Sequence, residues 1–435
     1  MLRKRLMATI LATVLAVCGA LAACGEEGKR VLTGDERFDE YIPLLDGKRV
    51  ALFSNHTGIV GDETSLTDEP DIDRLFGLDA QGNEITYGEH VLDALIVRNV
   101  DVVAVFSPEH GFRGTQDAGA SVDNSVDEKT GIPILSLYGP DTHYPAQEDM
   151  DRFDTLLVDI QDVGLRYYTY YLSLYYLMEA CAADNKEVII LDRPNPNGFY
   201  VDGPILQDAY RSGVGQLPLP IVYGMTLGEL SQMINGEGWL STGKESCDLT
   251  VIPCGNYTHQ TKTSLIRNPS PNLKNMRAVY LYASTCFFEN TQMSVGRGTW
   301  FPFEVYGGPC LEGNPQFPFT FTPVSMSGAL EPPFMDQQCY GEDLRNIPLE
   351  EIWGKGVNPA YLIKAYQAYM KTGWEEPFWG TADEKGQYWI DKLSGSADLR
   401  LMIEAGKSAE EIKDSWAEDV RMFMEQRRPY LLYAE

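Results

Sequence analysis

Metal-binding patterns are missing from this sequence. It contains eight cysteines and five histidines, yet these residues form no CxxC pair, no Cys/His cluster and no HExxH motif. Zinc sites depend on such closely spaced nitrogen and sulfur ligands. The sequence therefore predicts no metal site. The six cysteines beyond residue 24 permit disulfides in an exported protein but do not require them.

A glycine-rich phosphate loop is also missing. No GxGxxG follows the first apolar run, and the nearest glycine-containing turn, Ser54–Gly58, lacks the spacing that cradles a pyrophosphate. This absence argues against a nicotinamide-dependent enzyme. We predict no cofactor.

Positive charge is scarce. The chain has 35 basic and 63 acidic residues, with a formal net charge of −28. Such a surface repels nucleic acid and anionic lipid headgroups, so we predict neither as a partner. A small anionic ligand is still compatible with this composition, because a few local arginines can override the global field.

Only the N-terminus carries a long apolar run. Arg3, Lys4 and Arg5 precede an uncharged stretch from Leu6 to Ala23, which is the order of a secretory signal. A membrane-spanning helix is the alternative. The end of the stretch, Leu-Ala-Ala-Cys at 21–24, resembles a lipobox. We therefore predict a signal peptide over residues 1–23, a lipidated Cys24 and a tether over residues 24–38.

The predicted lipid anchor gives a location in the cell envelope. Two acidic residues, Glu26 and Glu27, follow Cys24 and favour the outer membrane, on either its periplasmic or its surface face. The membrane is then contacted only through the lipid.

Short apolar runs alternate with helix-like segments in the first half of the chain. Strands buried on both faces of a parallel sheet are nearly continuously apolar. The pattern predicts an α/β fold, with a Rossmann-like, mostly parallel sheet over residues 39–255 and a smaller α+β domain over residues 256–435. The predicted strands are Arg49–Ser54, Asp101–Phe106, Ile134–Leu137, Thr155–Ile160 and Glu187–Leu191.

Polar loops follow three of these strands. They are Ser107–Gly114, Asp159–Tyr168 and Asp192–Gly198. Ligands of open parallel sheets bind beyond the carboxyl ends of the strands, where such loops meet. Several carboxylates and arginines at one edge suit a carbohydrate, because glycoside hydrolysis needs an acid and usually a second carboxylate.

Glu109 is the best candidate for the acid, because an apolar strand and a proline precede it. Partial desolvation there would raise its pKa, as an acid working near neutrality requires. The alternative is an ion pair with His110 or Arg113. His110 either orients Glu109 or bonds the backbone. Asp162 and Asp117 are candidates for the second carboxylate, or for loop caps.

Other residues of these loops have two readings each. Asp192 and Asn195 are predicted to shape a proline-rich turn, with substrate contact as the alternative. Tyr167 either stacks on a sugar face or belongs to the core. In the second half, Gly296 and Gly298 flank Arg297, which predicts a tight turn that points a guanidinium into a site. The alternative is a structural ion pair of Arg297 with Glu289 or Glu304.

The motifs together resemble the DUF1343 proteins, a family that includes exo-β-N-acetylmuramidases of glycoside hydrolase family 171. The matching segments, in order, are SPEHGFRG, DIQDVGLRYYTY, LDRPNPNG, VYGMTLGEL and FENTQMSVGRGT. The resemblance extends over nearly the whole mature chain. It implies an active cleft between the two domains, Glu109 as the catalytic glutamate, and removal of terminal N-acetylmuramic acid (MurNAc) from peptidoglycan fragments.

The anionic 3-O-lactyl group of MurNAc calls for a fixed cation. Arg297 and Arg166 are favoured over Arg113 and Arg193. A non-catalytic lipoprotein that captures muropeptides or glycans for uptake is the alternative function. The predicted site comprises Glu109, His110 and Asp162 as catalytic residues, and Arg113, Asp117, Gln161, Arg166, Tyr167, Glu289 and Arg297 as substrate-binding residues.

Overall fold

The structure, a computed structural model, describes residues 30–61, 72–78, 82, 84, 88–108, 112, 125–137, 144–241, 246–265 and 267–435. The predicted signal peptide lies outside the described residues. So do Cys24, Glu109, His110, Arg113 and Asp117. What the sequence predicts for these residues stays a prediction.

A seven-stranded sheet organises the first half, in the order β3-β4-β2-β1-β5-β6-β7. Every neighbouring pair is parallel except β3 and β4, which are antiparallel. The predicted mostly parallel α/β fold is thus confirmed. The strands are β1 (Arg49–Ser54), β2 (Asp101–Ser107), β3 (Ser125–Val126), β4 (Pro133–Ser136), β5 (Thr155–Asp159), β6 (Glu187–Leu191) and β7 (Asp248–Ile252).

Both faces of the sheet are covered, which explains the continuous apolar runs. Val50 and Leu52 of β1 pack in one hydrophobic cluster, and their neighbours Ala51 and Phe53 pack in another on the opposite face. The sequence did not predict β7. This strand forms the sheet edge and its first residues are exposed or half-buried, so it lacks the continuous apolar pattern.

Eleven α-helices are formed by the described residues. The last and longest of them ends at Arg427, because Pro429 cannot continue it. Ile412, Trp416 and Phe423 of this helix are buried, whereas Met424 is exposed. The helices are α1 (Phe38–Tyr41), α2 (Val91–Val97), α3 (Gln147–Met150), α4 (Tyr170–Asp184), α5 (Leu227–Gly236), α6 (Met276–Thr285), α7 (Leu349–Lys355), α8 (Ala360–Tyr369), α9 (Trp389–Ser394), α10 (Asp398–Glu404) and α11 (Ala409–Arg427).

The second half of the chain contains a small antiparallel sheet and the helices α6 to α11. Its strands β8 (Val305–Gly308), β9 (Phe319–Phe321) and β10 (Cys339–Asp343) are ordered β8-β10-β9. One large hydrophobic cluster includes side chains from both halves, among them Tyr167 and Trp416. The two halves therefore share a core.

Both ends of the described chain pack against the large sheet. Val31 and Asp35, which the sequence analysis assigned to the tether, are buried. Val31 belongs to a small apolar cluster with Tyr433 near the other end of the chain. No helix formed by the described residues is long and apolar enough to cross a membrane. The six cysteines of the described chain are buried and free.

Candidate active site

The carboxyl ends of β1, β2, β5 and β6 lie at one edge of the sheet because these strands are parallel. Strand β2 ends at Ser107, and Pro108 and the predicted acid Glu109 follow in the chain. The loops after β5 and β6 are fully described, so their predicted roles can be compared with their contacts.

A buried ion network joins these loops to the N-terminal segment. The guanidinium of Arg193 donates from Nε to Asp159 Oδ1 at 2.6 Å and from Nη2 to Asp35 Oδ2 at 2.7 Å. All three side chains are nearly or fully inaccessible to solvent. Burial raises the pKa of Asp35 to about 7, although Arg193 beside it acts in the opposite direction. Arg193 is thus committed to the scaffold.

Asp192 holds a turn and the C-terminal tail together. Its Oδ2 accepts hydrogen bonds from Thr226 Oγ1 and from the Tyr433 hydroxyl, both at 2.6 Å, and its Oδ1 accepts one from the Gly228 amide at 2.9 Å. Burial raises the pKa of Asp192 to about 6. Asn195 donates from Nδ2 to Met225 O at 2.8 Å. Both residues shape the loop, as the sequence predicted.

Gln161 and Asp162 follow β5 directly. Gln161 donates from Nε2 to Pro194 O at 2.8 Å and so links the loops after β5 and β6. Asp162 Oδ1 accepts hydrogen bonds from the Gly164 amide at 2.6 Å and from the Tyr223 hydroxyl at 2.8 Å. Its buried Oδ2 has no hydrogen-bond partner among the described residues.

The environment of Asp162 favours a neutral carboxyl group. Burial raises its pKa to about 7, and hydrogen bonding by the Gly164 amide, the Tyr223 hydroxyl and the backbone of Val163 and Tyr171 only partly offsets this desolvation. Oδ1 therefore caps the loop, as the alternative reading proposed. Oδ2 is therefore available to exchange a proton or to bind a group outside the described residues.

Arg166 has a different position from the one expected of a substrate ligand. The side chain is fully buried. It donates from Nη1 to Pro204 O at 2.8 Å and to Leu219 O, and from Nη2 to Leu393 O at 2.9 Å. These bonds tie three distant segments together. The geometry favours a structural role, and the predicted substrate contact of Arg166 rests on the resemblance alone.

Tyr167 is a core residue in this structure. Its hydroxyl donates to Tyr282 O at 3.0 Å, and its ring packs edge-on against the rings of Tyr282 and Phe287. It is only 4% exposed. Phe287 precedes the motif that carries Glu289, so Tyr167 supports the base of that motif and is not positioned to stack on a sugar.

A cleft of about 890 Å³ opens beside that motif. Arg297 and Glu289 line it, and both side chains are about one-fifth exposed, at 21% and 22%. Arg297 donates from Nε at 2.9 Å and from Nη2 at 2.6 Å, both to Glu289 Oε1. The remaining nitrogen, Nη1, makes no hydrogen bond to the described residues.

Two glycines produce the tight turn predicted around Arg297. Gly296 has φ +78° and Gly298 has φ +81°, and a Cβ atom at Gly298 would lie 2.6 Å from Pro332 Cγ. Residues other than glycine rarely adopt this backbone conformation. Arg297 therefore lies in the predicted tight turn and also forms the ion pair with Glu289 that was the alternative prediction. The other proposed partner, Glu304, bonds Asn275 Nδ2 at 3.0 Å instead.

Arg297 stays protonated. Burial alone would lower its pKa, but Glu289 raises the pKa above the usual value of an arginine. The cleft thus presents a permanent cation with one free donor edge, which is the chemistry that binds a carboxylate. No group of His, Cys, Asp or Glu side chains in the described part of the chain is arranged to hold a metal ion.

Two walls of this cleft were not predicted from the sequence. Trp389 on α9 lines it, as does the segment from Leu330 to Phe334. Trp389 lies 92 positions after Arg297 in the chain, so no local pattern could join them. The consecutive prolines Pro332 and Pro333 were the available signal for a rigid wall.

Comparisons with known proteins agree over almost the whole chain. The N-terminal part of the family described as "Exo-beta-N-acetylmuramidase NamZ" matches residues 78–277, and its C-terminal part matches residues 280–433. A Bacillus subtilis (strain 168) protein named peptidoglycan beta-N-acetylmuramidase NamZ is 32% identical over 421 residues, which covers 93% of this chain and 92% of that protein.

Two crystal structures of DUF1343 family proteins from Bacteroides fragilis NCTC 9343 are also similar. One is 49% identical, with a TM-score of 0.78, over 94% of this chain and all of that one. The other is 29% identical, with a TM-score of 0.69, over 93% of this chain and 99% of that one. The matches to both parts of the family and to relatives over nearly the whole chain therefore place this protein in the exo-β-N-acetylmuramidase NamZ family of DUF1343 proteins.

Proposed function

We propose that this protein is a glycoside hydrolase that releases terminal MurNAc from the non-reducing ends of peptidoglycan fragments. The observation that carries the proposal is the end-to-end match to a peptidoglycan β-N-acetylmuramidase, at 32% identity over 93% of the chain. Polar loops at one sheet edge and a cleft with a fixed cation supply compatible chemistry. The substrates are fragments that end in MurNAc linked to N-acetylglucosamine (GlcNAc).

In this proposal Glu109 is the general acid and base. Cleavage of a glycosidic bond needs a proton on the leaving oxygen, which a carboxyl group with a raised pKa supplies near neutral pH. Glu109 follows a buried strand and a proline, and His110 orients its carboxyl group. Asp117 is assigned to substrate binding.

Asp162 is the candidate second carboxyl group. Its pKa of about 7 allows it to exchange a proton near neutrality, and its Oδ2 lacks a partner among the described residues. It activates the attacking water or orients the acetamido group of the substrate. Gln161 supports it from the neighbouring position, since its amide holds the loops after β5 and β6 together.

Selectivity for MurNAc is assigned to Arg297. The lactyl carboxylate can accept from Nη1, the nitrogen that the pair with Glu289 leaves open, while Glu289 fixes the orientation of the guanidinium. GlcNAc lacks this carboxylate. A site built around a charged donor disfavours an analogue that leaves the donor unpaired. Arg113 is a second candidate cation, and Trp389 offers an aromatic wall for a sugar ring.

We further propose that Cys24 is lipidated and anchors the protein in the outer membrane. Peptidoglycan lies outside the cytoplasmic membrane, so an enzyme that trims its fragments must be exported. The native protein should incorporate an alkyne-labelled fatty acid and Cys24→Ala should not, because the Cys24 thiol is the attachment point of the lipid. A Cys24→Ala variant labelled to the native extent would contradict the anchor.

The activity is tested by incubating the purified protein with MurNAc-GlcNAc and detecting free MurNAc. Glu109→Gln should lower the rate by about 10² or more, because the amide cannot donate the proton in the transition state. The matched control is Glu148→Gln, on the exposed surface of α3. Absence of free MurNAc, or full activity of Glu109→Gln, would contradict the proposal.

A further inference from the structure

An exposed tryptophan lies three positions beyond Arg297. Trp300 is 68% exposed, the second-highest exposed fraction among the large hydrophobic side chains given for the described residues. The turn that carries it is held by hydrogen bonds from the Thr299 amide to Gly296 O at 3.0 Å and from the Phe301 amide to Thr299 Oγ1 at 3.2 Å. The indole is therefore presented to solvent from a well-fixed backbone.

One side of the Trp300 ring is already covered. The Lys274 ammonium lies 4.6 Å from the ring centroid, and it also approaches Met326 Sδ at 4.0 Å. Such a cation–π contact limits the rotation of the ring. With two-thirds of the residue still exposed, the opposite face of the indole is open to a ligand.

A compact loop over residues 323–336 lies next to this turn. A hydrogen bond from the Asp336 amide to Pro323 O at 2.8 Å closes the loop. A second one, from the Val324 amide to Gly298 O at 2.9 Å, attaches the loop to the turn that carries Arg297. Leu330 and Met335 of the loop are exposed.

The loop is continuous with the cleft. Leu330 and Phe334 of the loop line the cleft, as do Arg297 and Glu289. Trp300 lies beside the same loop, since the Lys274 ammonium over its ring also approaches Met326 of the loop. Adjacent exposed apolar side chains of this kind mark binding sites in soluble proteins.

The substrate itself supplies an occupant for this surface. An exo-acting enzyme holds the terminal MurNAc in the cleft, so the rest of the glycan has to leave by the open side. The next sugar, GlcNAc, is uncharged, and the C–H face of a β-linked pyranose is flat and apolar. Such a face matches an indole supported from behind, because aromatic side chains bury a large area with few rotatable bonds.

We propose that Trp300 and the loop over residues 323–336 form a subsite for the glycan chain that leaves after cleavage, with Trp300 stacking on its first GlcNAc. This inference rests on the proposed function, because it takes MurNAc to be the sugar in the cleft. It assigns recognition of the leaving glycan to residues other than those predicted to be catalytic.

The test compares substrates that do and do not reach the subsite. For Trp300→Ala, we expect the KM for a MurNAc-GlcNAc-MurNAc-GlcNAc tetrasaccharide to rise about tenfold, the size of effect expected from one aromatic anchor. The kcat/KM for the methyl β-glycoside of MurNAc should stay unchanged, because its aglycone is too short. The matched control is Trp374→Ala, an exposed tryptophan on the loop after α8, which should alter neither substrate.

The failures of the two proposals are distinguishable. An unchanged KM for the tetrasaccharide in Trp300→Ala, with an active native protein, would overturn the subsite alone. Absence of MurNAc release by the native protein would overturn the proposed function. In that case, titration with a β-1,4-linked GlcNAc tetramer still decides the subsite. A Kd about tenfold weaker in Trp300→Ala supports it, and an equal Kd or no binding to the native protein overturns it.

Discussion

The sheet edge and the cleft of the second half use arginine in opposite ways. At the sheet edge, Arg193 is enclosed by two carboxylates and Arg166 by three backbone carbonyls, and both are buried. In the cleft, Arg297 pairs with a single oxygen of Glu289 and remains one-fifth exposed. All three arginines lie in distinctive sequence motifs. Burial, and the number of N–H donors not already bonded within the protein, separate the structural arginines from the one that can contact substrate.

The difference also separates stability from activity. A buried charge that loses its partner stays desolvated and uncompensated, so its removal is costly to the fold. A partly exposed pair is screened by water and contributes little to folding. Substitutions at the sheet edge should therefore act through unfolding, whereas those in the cleft should act through substrate.

The largest effect is expected at Arg193. Arg193→Met leaves Asp35 and Asp159 buried side by side without their cation. We expect the free energy of unfolding to fall by about 3–5 kcal/mol, the range for breaking a buried ion pair. Urea unfolding followed by circular dichroism measures it.

The matched control for Arg193 is an arginine in a surface pair. Arg211 is 48% exposed and pairs at 2.8 Å with Asp208, which is 85% exposed. Arg211→Met should change the free energy of unfolding by less than about 1 kcal/mol. Equal losses in the two variants would show that burial does not separate the two classes of arginine.

A smaller effect, on substrate rather than on stability, is expected at Arg297. Arg297→Gln removes the charge-assisted bond to the lactyl carboxylate, and such bonds contribute about 1.5–3 kcal/mol. The kcat/KM for a β-muramide should fall roughly 10- to 150-fold, while that for the matching β-N-acetylglucosaminide stays nearly constant. The melting temperature should change little.

The ratio of the kcat/KM values for the two glycosides decides the role of Arg297. An equal fall in kcat/KM for both glycosides would mean that Arg297 shapes the cleft without reading the lactyl group. Arg166→Gln provides the contrast, because we expect it to lower the melting temperature through its lost carbonyl contacts. A stable Arg166→Gln protein with lost selectivity would reverse the assignment of the two arginines.

Sequence predicted the features that depend on local pattern. The strands of the sheet interior were predicted because residues buried on both faces form apolar runs, and edge strand β7 was missed because its exposed positions break the run. The turn at Arg297 was predicted because left-handed backbone at Gly296 and Gly298 is a local requirement.

Features that depend on distant segments were not predictable in this way. The role of Arg166 is set by carbonyls of residues 204, 219 and 393, which come together only in the folded chain. Trp389 reaches the cleft by the same long-range packing. The predictions for Glu109, His110, Arg113 and Asp117 concern residues outside those described, so they rest on sequence and family membership.

The smallest effect concerns the protonation of Asp162, which belongs to the sheet edge but keeps one oxygen open. Its pKa is about 7 in the folded protein, against a usual value of 3.8. Between these values the folded state binds more protons than the unfolded state, so stability falls as pH rises through this window. The slope approaches about 1 kcal/mol per pH unit between pH 5 and pH 6.

Asp162→Asn isolates this contribution. Asparagine keeps an oxygen that accepts from Gly164 and Tyr223 but cannot titrate, so the free energy of unfolding should depend less steeply on pH between pH 5 and pH 7. Other buried carboxyl groups with raised pKa values, among them Asp35, Asp192 and Glu304, remain in both proteins and cancel in the difference. Identical pH profiles for the two proteins would mean that folding does not raise the pKa of Asp162, and would remove it as a proton carrier near neutral pH.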